Sequence, residues 1–564
     1  MSQAEEIRLL KTINEQQAAR IQEQEETIRE LRAVIGELRV LKANLEETIE
    51  EFRRKFFGVR SEKASPSSND LEQEAVGEKI KVKSHTRERK KKAVRDDLYA
   101  ALPVREIRCP VPEEEKNCPY CNAPMEPLGY RFVREELRIT PARVERVRYL
   151  QETVICPECK KDGDGTLVQA PVPRALFQHS PASPSIVAHI IYQRNFNSLP
   201  YYRQETDMAQ LGAVIPRETI AGWYIRSAGM YFQPIYEKLH EQLLLREVLH
   251  ADEVPCQVLH EEGKTAQSRS YMWVYLTGND GLAPIILYEY QPGRKGCYPK
   301  AFLKGFKGKL QCDGYTGYHQ VEDVILVCCL AHCRRKFYEA LPAERRRAIK
   351  LLDIHSAEEI REPEIPEDDR AGMIPPAEIG LAYCNRLFFL ERQLKEEGPE
   401  ERKAARIERE LPVWEKFWNW LETLSVVGGS KLEKAVNYAQ NHHETLMNYL
   451  LDGRCEISNN RAERCCKSYA IGRKNALFHN SEAGAEASAV MYSIVETAKK
   501  NHLNVFQYLY MVLLYMPDYK KEPAGIEQLL PWSTFIQEHC TGLTDTETIT
   551  PENKPKLPLK KNDR

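Results

Sequence analysis

The chain of 564 residues is longer than one ordinary domain, and its 42% hydrophobic content allows more than one sizeable core. A net charge of −2 with 29% charged residues gives no global signature of nucleic-acid binding, so local basic clusters matter more than the total. No run of about 18 apolar residues offers a membrane span. The acidic start Met1-Ser-Gln-Ala-Glu-Glu6 is unlike a secretory signal, so the sixteen cysteines point to metal ligands and reduced thiols in the cytoplasm.

Residues 1–60 are expected to form a dimerisation helix. Within 5–53 one heptad position reads Ile7, Asn14, Ile21, Ile28, Ile35, Lys42, Ile49, and the other Leu10, Gln17, Gln24, Leu31, Leu38, Leu45, Phe52. Ile at a with Leu at d favours a parallel two-stranded coiled coil, and Asn14 and Lys42 in the seam fix register at a cost in stability. A long helix packed on its own protein is the plainer alternative. Residues 61–104 read as a linker with a basic run, Arg87-Glu-Arg-Lys-Lys-Lys-Ala-Val-Arg95, suited either to DNA phosphates or simply to solvent. Residues 105–170 hold Cys118-Pro-Tyr-Cys121 and Cys156-Pro-Glu-Cys159. Two such knuckles supply four thiolates for one structural Zn2+, provided the long strand-like spacer brings them together. A redox CxxC pair competes, against which the two copies weigh.

Residues 171–242 read as short helices split by Gly212 and Pro216, either a helix-turn-helix that binds DNA or a lead-in packed on the next domain. Residues 243–340 alternate strand runs and turns: strands at roughly 245–258, 269–277, 283–290, 307–313 and 324–330, with helices at 297–304 and 331–340. That order resembles a ribonuclease H-like domain. Residues 341–450 turn charged and helical, an expected insertion. Residues 451–516 complete the core, and 517–564 are expected as a polar tail. The fold class is therefore multidomain α/β.

Three acids stand out. Asp252 is expected at the end of an apolar strand, Asp313 at the end of another before Gly314, and Glu463 near the start of a helix. Carboxylates so placed suit a pair of Mg2+ or Mn2+ ions, which activate a water or 3′ hydroxyl and stabilise a leaving oxygen. Each acid has a plainer reading: Asp252 as a turn cap, Asp313 as an Asp-Gly turn, Glu463 as the end of a capping box begun by Asn460. Glu253 and Glu496 are rival ligands. His332, Arg334 and Arg335 start one helix, and Arg473, Lys474 and Asn475 follow Glu463 on another; both groups suit DNA phosphates or a solvated face.

The chain resembles the large transposase of insertion-sequence 66 type elements. The resemblance rests on Phe57-Gly-Val-Arg-Ser-Glu-Lys63, the cysteine knuckles, Leu199-Pro-Tyr-Tyr-Arg-Gln-Glu205, His250-Ala-Asp252-Glu, Asp313-Gly-Tyr-Thr-Gly-Tyr318, Ala331-His-Cys-Arg-Arg-Lys-Phe337, Asn459-Asn-Arg-Ala-Glu-Arg464, Ile471-Gly-Arg-Lys-Asn475 and Tyr492-Ser-Ile-Val-Glu-Thr-Ala-Lys499. Cys333 and the pair Cys465-Cys466 depart from the family pattern. The resemblance implies a DDE-type enzyme with Asp252, Asp313 and Glu463 as catalytic acids. It implies binding to terminal inverted repeats and target DNA, with cleavage and strand transfer using a divalent metal; the expected coiled coil adds a homo-oligomer of at least two chains, with element-encoded accessory proteins as a further candidate partner. A catalytically inactive or domesticated DNA-binding descendant is the rival reading, and a stand-alone nuclease the third.

Overall fold

The computed structural model describes residues 143–155, 167–347, 364–366, 374–519 and 525–557. The coiled coil of 1–60, the linker of 61–104 and all four knuckle cysteines, Cys118, Cys121, Cys156 and Cys159, lie outside the described residues. Next to the knuckles, β1 (Thr153–Ile155) pairs antiparallel with β2 (Leu167–Gln169).

Four helices follow: α1 (Pro184–Ile191), α2 (Tyr201–Gln210), α3 (Arg217–Ser227) and α4 (Gln233–Leu244). Ser183 caps α1, its Oγ accepting from the Ile186 amide at 3.3 Å, and Pro184 opens it without costing an internal hydrogen bond. Gly212 at φ +85° turns the chain between α2 and α3. Ile190, Ile191, Ile220, Trp223 and Tyr224 from this unit enter the largest apolar core.

A five-stranded mixed sheet occupies the centre. Its strands are β3 (Val248–Cys256), β5 (Ser270–Thr277), β6 (Ile286–Gln291), β7 (Gly308–Cys312) and β8 (Val324–Cys328); a short β4 (Val258–His260) stands apart. The order is β6-β5-β3-β7-β8, with β5 antiparallel to β3 and β6, and β7 parallel to β3 and β8. Helix α5 (Cys297–Phe302) lies between β6 and β7, and α6 (Leu330–Ala340) follows β8. The five strands fall in the five runs expected from the sequence. Both faces of the sheet are covered, which is why β5 reads almost wholly buried.

After α6 the described residues are helical: α7 (Pro376–Gln393), α8 (Pro399–Arg409), α9 (Leu411–Thr423), α10 (Lys431–Asn441) and α11 (His443–Met447). They build a second core with Phe337, Leu387, Trp414, Phe417 and Trp420, joined to β8 through Val327. The chain returns in α12 (Asn460–Ala476), then β9 (His479–Ser481), a strand the sequence pattern does not signal, which pairs parallel with β4. Helix α13 (Glu482–Lys500) closes the open edge of β6. Thr497 Oγ1 accepts from the Ile286 amide at 3.0 Å and donates to its carbonyl at 2.9 Å, and Ser493 Oγ accepts from the Tyr288 amide at 2.7 Å. Those bonds occupy backbone groups that would otherwise template a foreign strand.

Beyond α14 (Val505–Tyr519), the polar tail expected over 517–564 is corrected by the structure. Residues 525–557 include α15 (Thr534–Cys540), and Leu529, Phe535, Ile536 and Cys540 are buried against Tyr508 and Met511. The spaced apolar residues form a small docking face that the surrounding Pro and charged residues hide from a composition-based reading. No helix among the described residues is long and apolar enough to cross a membrane.

Candidate active site

The site begins where β3 and β7 lie side by side. Their parallel pairing ends with His250 opposite Gln311. Two residues further along each chain stand Asp252 and Asp313. Neighbouring strands run about 4.8 Å apart, so register alone brings the two acids together. Asp313 directly follows β7, and its Oδ1 accepts from the Tyr315 amide at 2.9 Å in the turn that Gly314 permits. A Cβ at Gly314 would stand 2.7–2.8 Å from the side chains of His442 and Tyr438, so the close approach of α10 demands glycine there. Asp252, expected at a strand end, lies inside β3 instead. The strand runs on to Cys256 because its pairing with β5 outlasts its pairing with β7.

Helix α12 carries Glu463, the third acid of the sequence reading. Its N-cap, Asn459, is buried and ties three elements together. Its Oδ1 accepts from His250 Nδ1 at 2.9 Å, its Nδ2 donates to the Ala251 carbonyl at 2.8 Å, and its amide points at Cys329 Sγ, 3.1 Å away. Burial holds His250 down to about 3, hence neutral with its proton on Nδ1. The start of α12 is thereby fixed against β3 one residue before Asp252, and Glu463 hangs from the first turn. The capping box considered from sequence does not form. Asn460 is already helical, and the Glu463 amide bonds the Asn459 carbonyl at 3.2 Å in the ordinary helical way. Glu463 Oε1 is instead buried with no hydrogen-bond partner, 3.7 Å from His332 Nε2, while Oε2 is 3.9 Å from Arg335.

Like charges crowd this corner. Burial first, then the Glu253 and Asp313 carboxylates, push Asp252 up to about 7. Its Oδ1 accepts from the Glu253 amide at 2.8 Å, and the Cys466 thiol on α12 hydrogen-bonds it. Glu253 is engaged elsewhere. Its Oε2 accepts from Tyr318 OH at 2.8 Å, and its Oε1 pairs with Arg294, which also stands 3.7 Å from Asp313 and stacks over Tyr315 at 4.1 Å. The donors suit a hard divalent cation: carboxylates on neighbouring elements, one with an unmatched oxygen and one held partly protonated by burial and, after it, by repulsion.

The remaining sequence candidates separate. Arg335 borders Glu463 and is half exposed. Arg334 turns toward α7, its Nε donating to Asn385 Oδ1 at 2.6 Å. Arg473 hydrogen-bonds the Pro255 carbonyl, and Lys474 beside it is exposed. Glu496 does not join the two aspartates. It pairs with Lys499 at 2.7 Å and faces a cavity of about 280 Å³ on the far side of α12. That cavity also carries Arg461, Arg464, Ser468 and Lys500. At 3.6 residues per turn these α12 residues point roughly 100–160° away from Glu463. The sequence reading missed this basic cavity and the Asn459 hub. The spacing of Arg461, Arg464 and Ser468 on one helical face was the available signal for the first.

Comparison with known proteins bears on most of the chain. The family model described as Transposase IS66 family matches residues 179–487. A zinc-finger binding domain of transposase IS66 matches 115–160, Transposase C of IS166 homeodomain 44–107, and the IS66 C-terminal element 493–532. Among relatives, Uncharacterized protein y4hP of Sinorhizobium fredii is 27% identical over 523 residues, covering 86% of this chain and 88% of its own. Uncharacterized protein y4jD of the same organism is 27% identical over 435 residues, covering 74% and 78%. A solved strand transfer complex of the Drosophila P element transposase covers 61% of this chain and 94% of that one at 11% identity, with a TM-score of 0.21, too low to bear on the fold.

Proposed function

The chain belongs to the IS66 transposase family, and from that premise we propose that it cuts DNA at the terminal inverted repeats of an insertion sequence and joins the 3′ ends to target DNA. The observation that carries this reading is the adjacency of Asp252 and Asp313 where β3 and β7 pair in register, with α12 tied to β3 through Asn459 and an unmatched oxygen on Glu463 in its first turn. The strand order, three antiparallel strands continued by two parallel ones, supports a ribonuclease H-like core.

Asp252, Asp313 and Glu463 would hold two Mg2+ or Mn2+ ions, which when bound activate the attacking oxygen and stabilise the leaving 3′ oxygen. The chain's own residues prepare that corner. Asn459 and His250 hold α12 on β3, so Glu463 keeps its place when DNA arrives. Arg294 holds the Glu253 carboxylate away from Asp252 and partly offsets Asp313. Arg335 and Lys474 offer charge to phosphates, and the cavity with Arg461, Arg464 and Lys500 offers a second backbone contact. In this reading Cys118, Cys121, Cys156 and Cys159 hold a structural Zn2+ that shapes an end-recognition module, and the heptads of 1–60 pair protomers so that two ends share one assembly.

The test uses purified protein and DNA carrying the cognate element ends. Asp252→Asn, Asp313→Asn and Glu463→Gln each bring cutting and strand transfer to background while end binding survives; Glu496→Gln stays active. Full activity in Glu463→Gln with a dead Glu496→Gln moves the third acid to α13. End binding without any cutting by the unaltered protein favours the inactive descendant.

A further inference from the structure

One group of donors at this corner is not explained by hard-ion chemistry. Cys329 Sγ, a nitrogen of His332 and a carboxylate oxygen of Glu463 lie within 4.8 Å of one another. The three arrive from the N-cap of α6, the first turn of α6 and the first turn of α12. Burial at the junction of β8 and α6 raises the Cys329 thiol to about 11, and the amides of Asn459, His332 and Ala331 directed at it offset part of that rise. Amides directed at sulfur are what a metal-bound thiolate needs from its surroundings, just as second-shell donors orient other ligands. Glu463 Oε1 and His332 Nδ1 are both buried without a hydrogen-bond partner. An unmatched carboxylate oxygen, 3.7 Å from His332 Nε2 and beside a sulfur cradled by amides, marks a place built for a ligand that would match it.

Thiolate, imidazole and carboxylate together select a borderline-soft ion. Zn2+ takes such sets readily, whereas Mg2+ avoids sulfur and keeps to oxygen and water. The donors of a four-coordinate zinc stand about 3.3–3.8 Å apart, so side-chain adjustments of roughly 1 Å close this set. A fourth position stays open for water. We propose that Cys329, His332 and Glu463 form a site for a zinc-class ion, distinct from the four-cysteine module, that withdraws Glu463 from Asp252 and Asp313. Binding transfers the Cys329 thiol proton to solvent and forms one metal–sulfur, one metal–nitrogen and one metal–oxygen bond, with no change of oxidation state. The ion site stands on its own geometry. Only its consequence, that zinc switches the centre off, rests on the proposed transposition chemistry.

Cobalt titration of the metal-stripped full-length protein tests the site without any reaction. Thiolate-to-cobalt charge-transfer absorption counts the sulfur-bound ions. The unaltered chain should take one more sulfur-bound equivalent than Cys329→Ala, and Glu463→Gln should weaken that equivalent at least tenfold. His332→Ala, at a partly exposed position, gives the same reading while leaving the amides around Cys329 in place. Equal stoichiometry and equal absorption in unaltered, Cys329→Ala and His332→Ala proteins overturn the site. In the cutting assay, zinc added against saturating Mg2+ should inhibit the unaltered protein at least tenfold more strongly than Cys329→Ala, each compared with its own zinc-free rate. A missing equivalent with unchanged zinc inhibition keeps the site and overturns the switch. Absence of cutting in every protein overturns the transposition reading and leaves the cobalt result to judge the site.

Discussion

Two clusters of buried charge stand at either end of the segment that leads into α12, and they are built on opposite principles. In the insertion, Arg406 on α8 is fully buried and fully matched. Its Nε and Nη2 grip Glu391 at 2.9 and 2.6 Å, and its Nη groups donate to the carbonyls of Tyr449, Asp452 and Cys455 at 2.8–3.0 Å. Every guanidinium proton has an acceptor, as a buried cation requires. At the other cluster Asp252, Glu253 and Asp313 press like charges together, and Glu463, eight residues after Cys455, leaves an oxygen unmatched. The first cluster is closed around its cation; its unmatched atom, Glu410 Oε1, belongs to a fully buried carboxyl that burial and the Glu391 charge raise to about 8 and so hold neutral. The second is incomplete as a protein-only arrangement, which is the mark of a place where something else binds. The two are coupled, because Arg406 fixes the carbonyls of Asp452 and Cys455, just ahead of the Asn459 hub.

The largest effect expected from this contrast falls on the insertion. Arg406→Met strands Glu391 and the Tyr449 and Cys455 carbonyls, and should cost about 3–5 kcal/mol of stability by chemical denaturation. Pairing it with Glu391→Leu removes both charges and should recover only the share of that loss due to the stranded carboxylate, since the Tyr449, Asp452 and Cys455 carbonyls stay without a donor. A loss below about 1 kcal/mol for Arg406→Met would break the distinction between a closed and an open charge cluster.

The sheet was legible because its strands are apolar runs bounded by turn residues, and Asp313 was legible because Asp-Gly ends such a run. Asp252 was legible as an acid of interest but not in its place inside the strand, since local polarity does not reveal that β5 extends the pairing. The Asn459 hub was not legible. It contacts His250 across 209 residues of sequence, and no local pattern encodes such a bond. For the same reason Arg334 reads as a phosphate contact, although its partner Asn385 lies 51 residues away in the insertion. The packed residues after α14 were hidden by their polar neighbours. Sequence reading succeeded where chemistry follows from a local run and failed where an asparagine or arginine acts through a distant partner.

A second, smaller effect sharpens the same contrast on the far face of α12. The basic cavity gathers Arg461, Arg464 and Lys500 around few acids, with Arg461 held by Glu456 at 3.2 Å and Lys499 by Glu496. If it seats DNA phosphates, Arg464→Ala/Lys500→Ala should weaken end binding about tenfold. It should also flatten the slope of log affinity against log salt by about 2, one for each phosphate no longer neutralised. Unchanged slope and affinity would show that the cavity, like the cluster around Arg406, is structural and makes no contact with DNA.

The last effect concerns the open cluster without any DNA. In metal-free protein Asp252 is raised to about 7 by burial and by its carboxylate neighbours, whereas in the unfolded chain it ionises at its ordinary value of 3.8. A carboxyl raised on folding binds its proton more tightly in the folded state. Its contribution is therefore fully favourable below pH 4 and is lost as pH rises through 7. Metal-free protein should lose on the order of 2 kcal/mol from this group between those limits, less than the full linkage value because water relaxes around a partly exposed carboxylate. Asp252→Asn cannot ionise, so its melting temperature under chelation should exceed that of the unaltered protein at pH 7 and match it near pH 4. Added Mg2+ should restore the unaltered protein at pH 7 and leave Asp252→Asn almost unmoved. An Asp252→Asn protein less stable than the original at pH 7 under chelation would mean that the carboxylate is satisfied by the protein alone. The corner would then be a closed cluster after all, of the same kind as the one around Arg406.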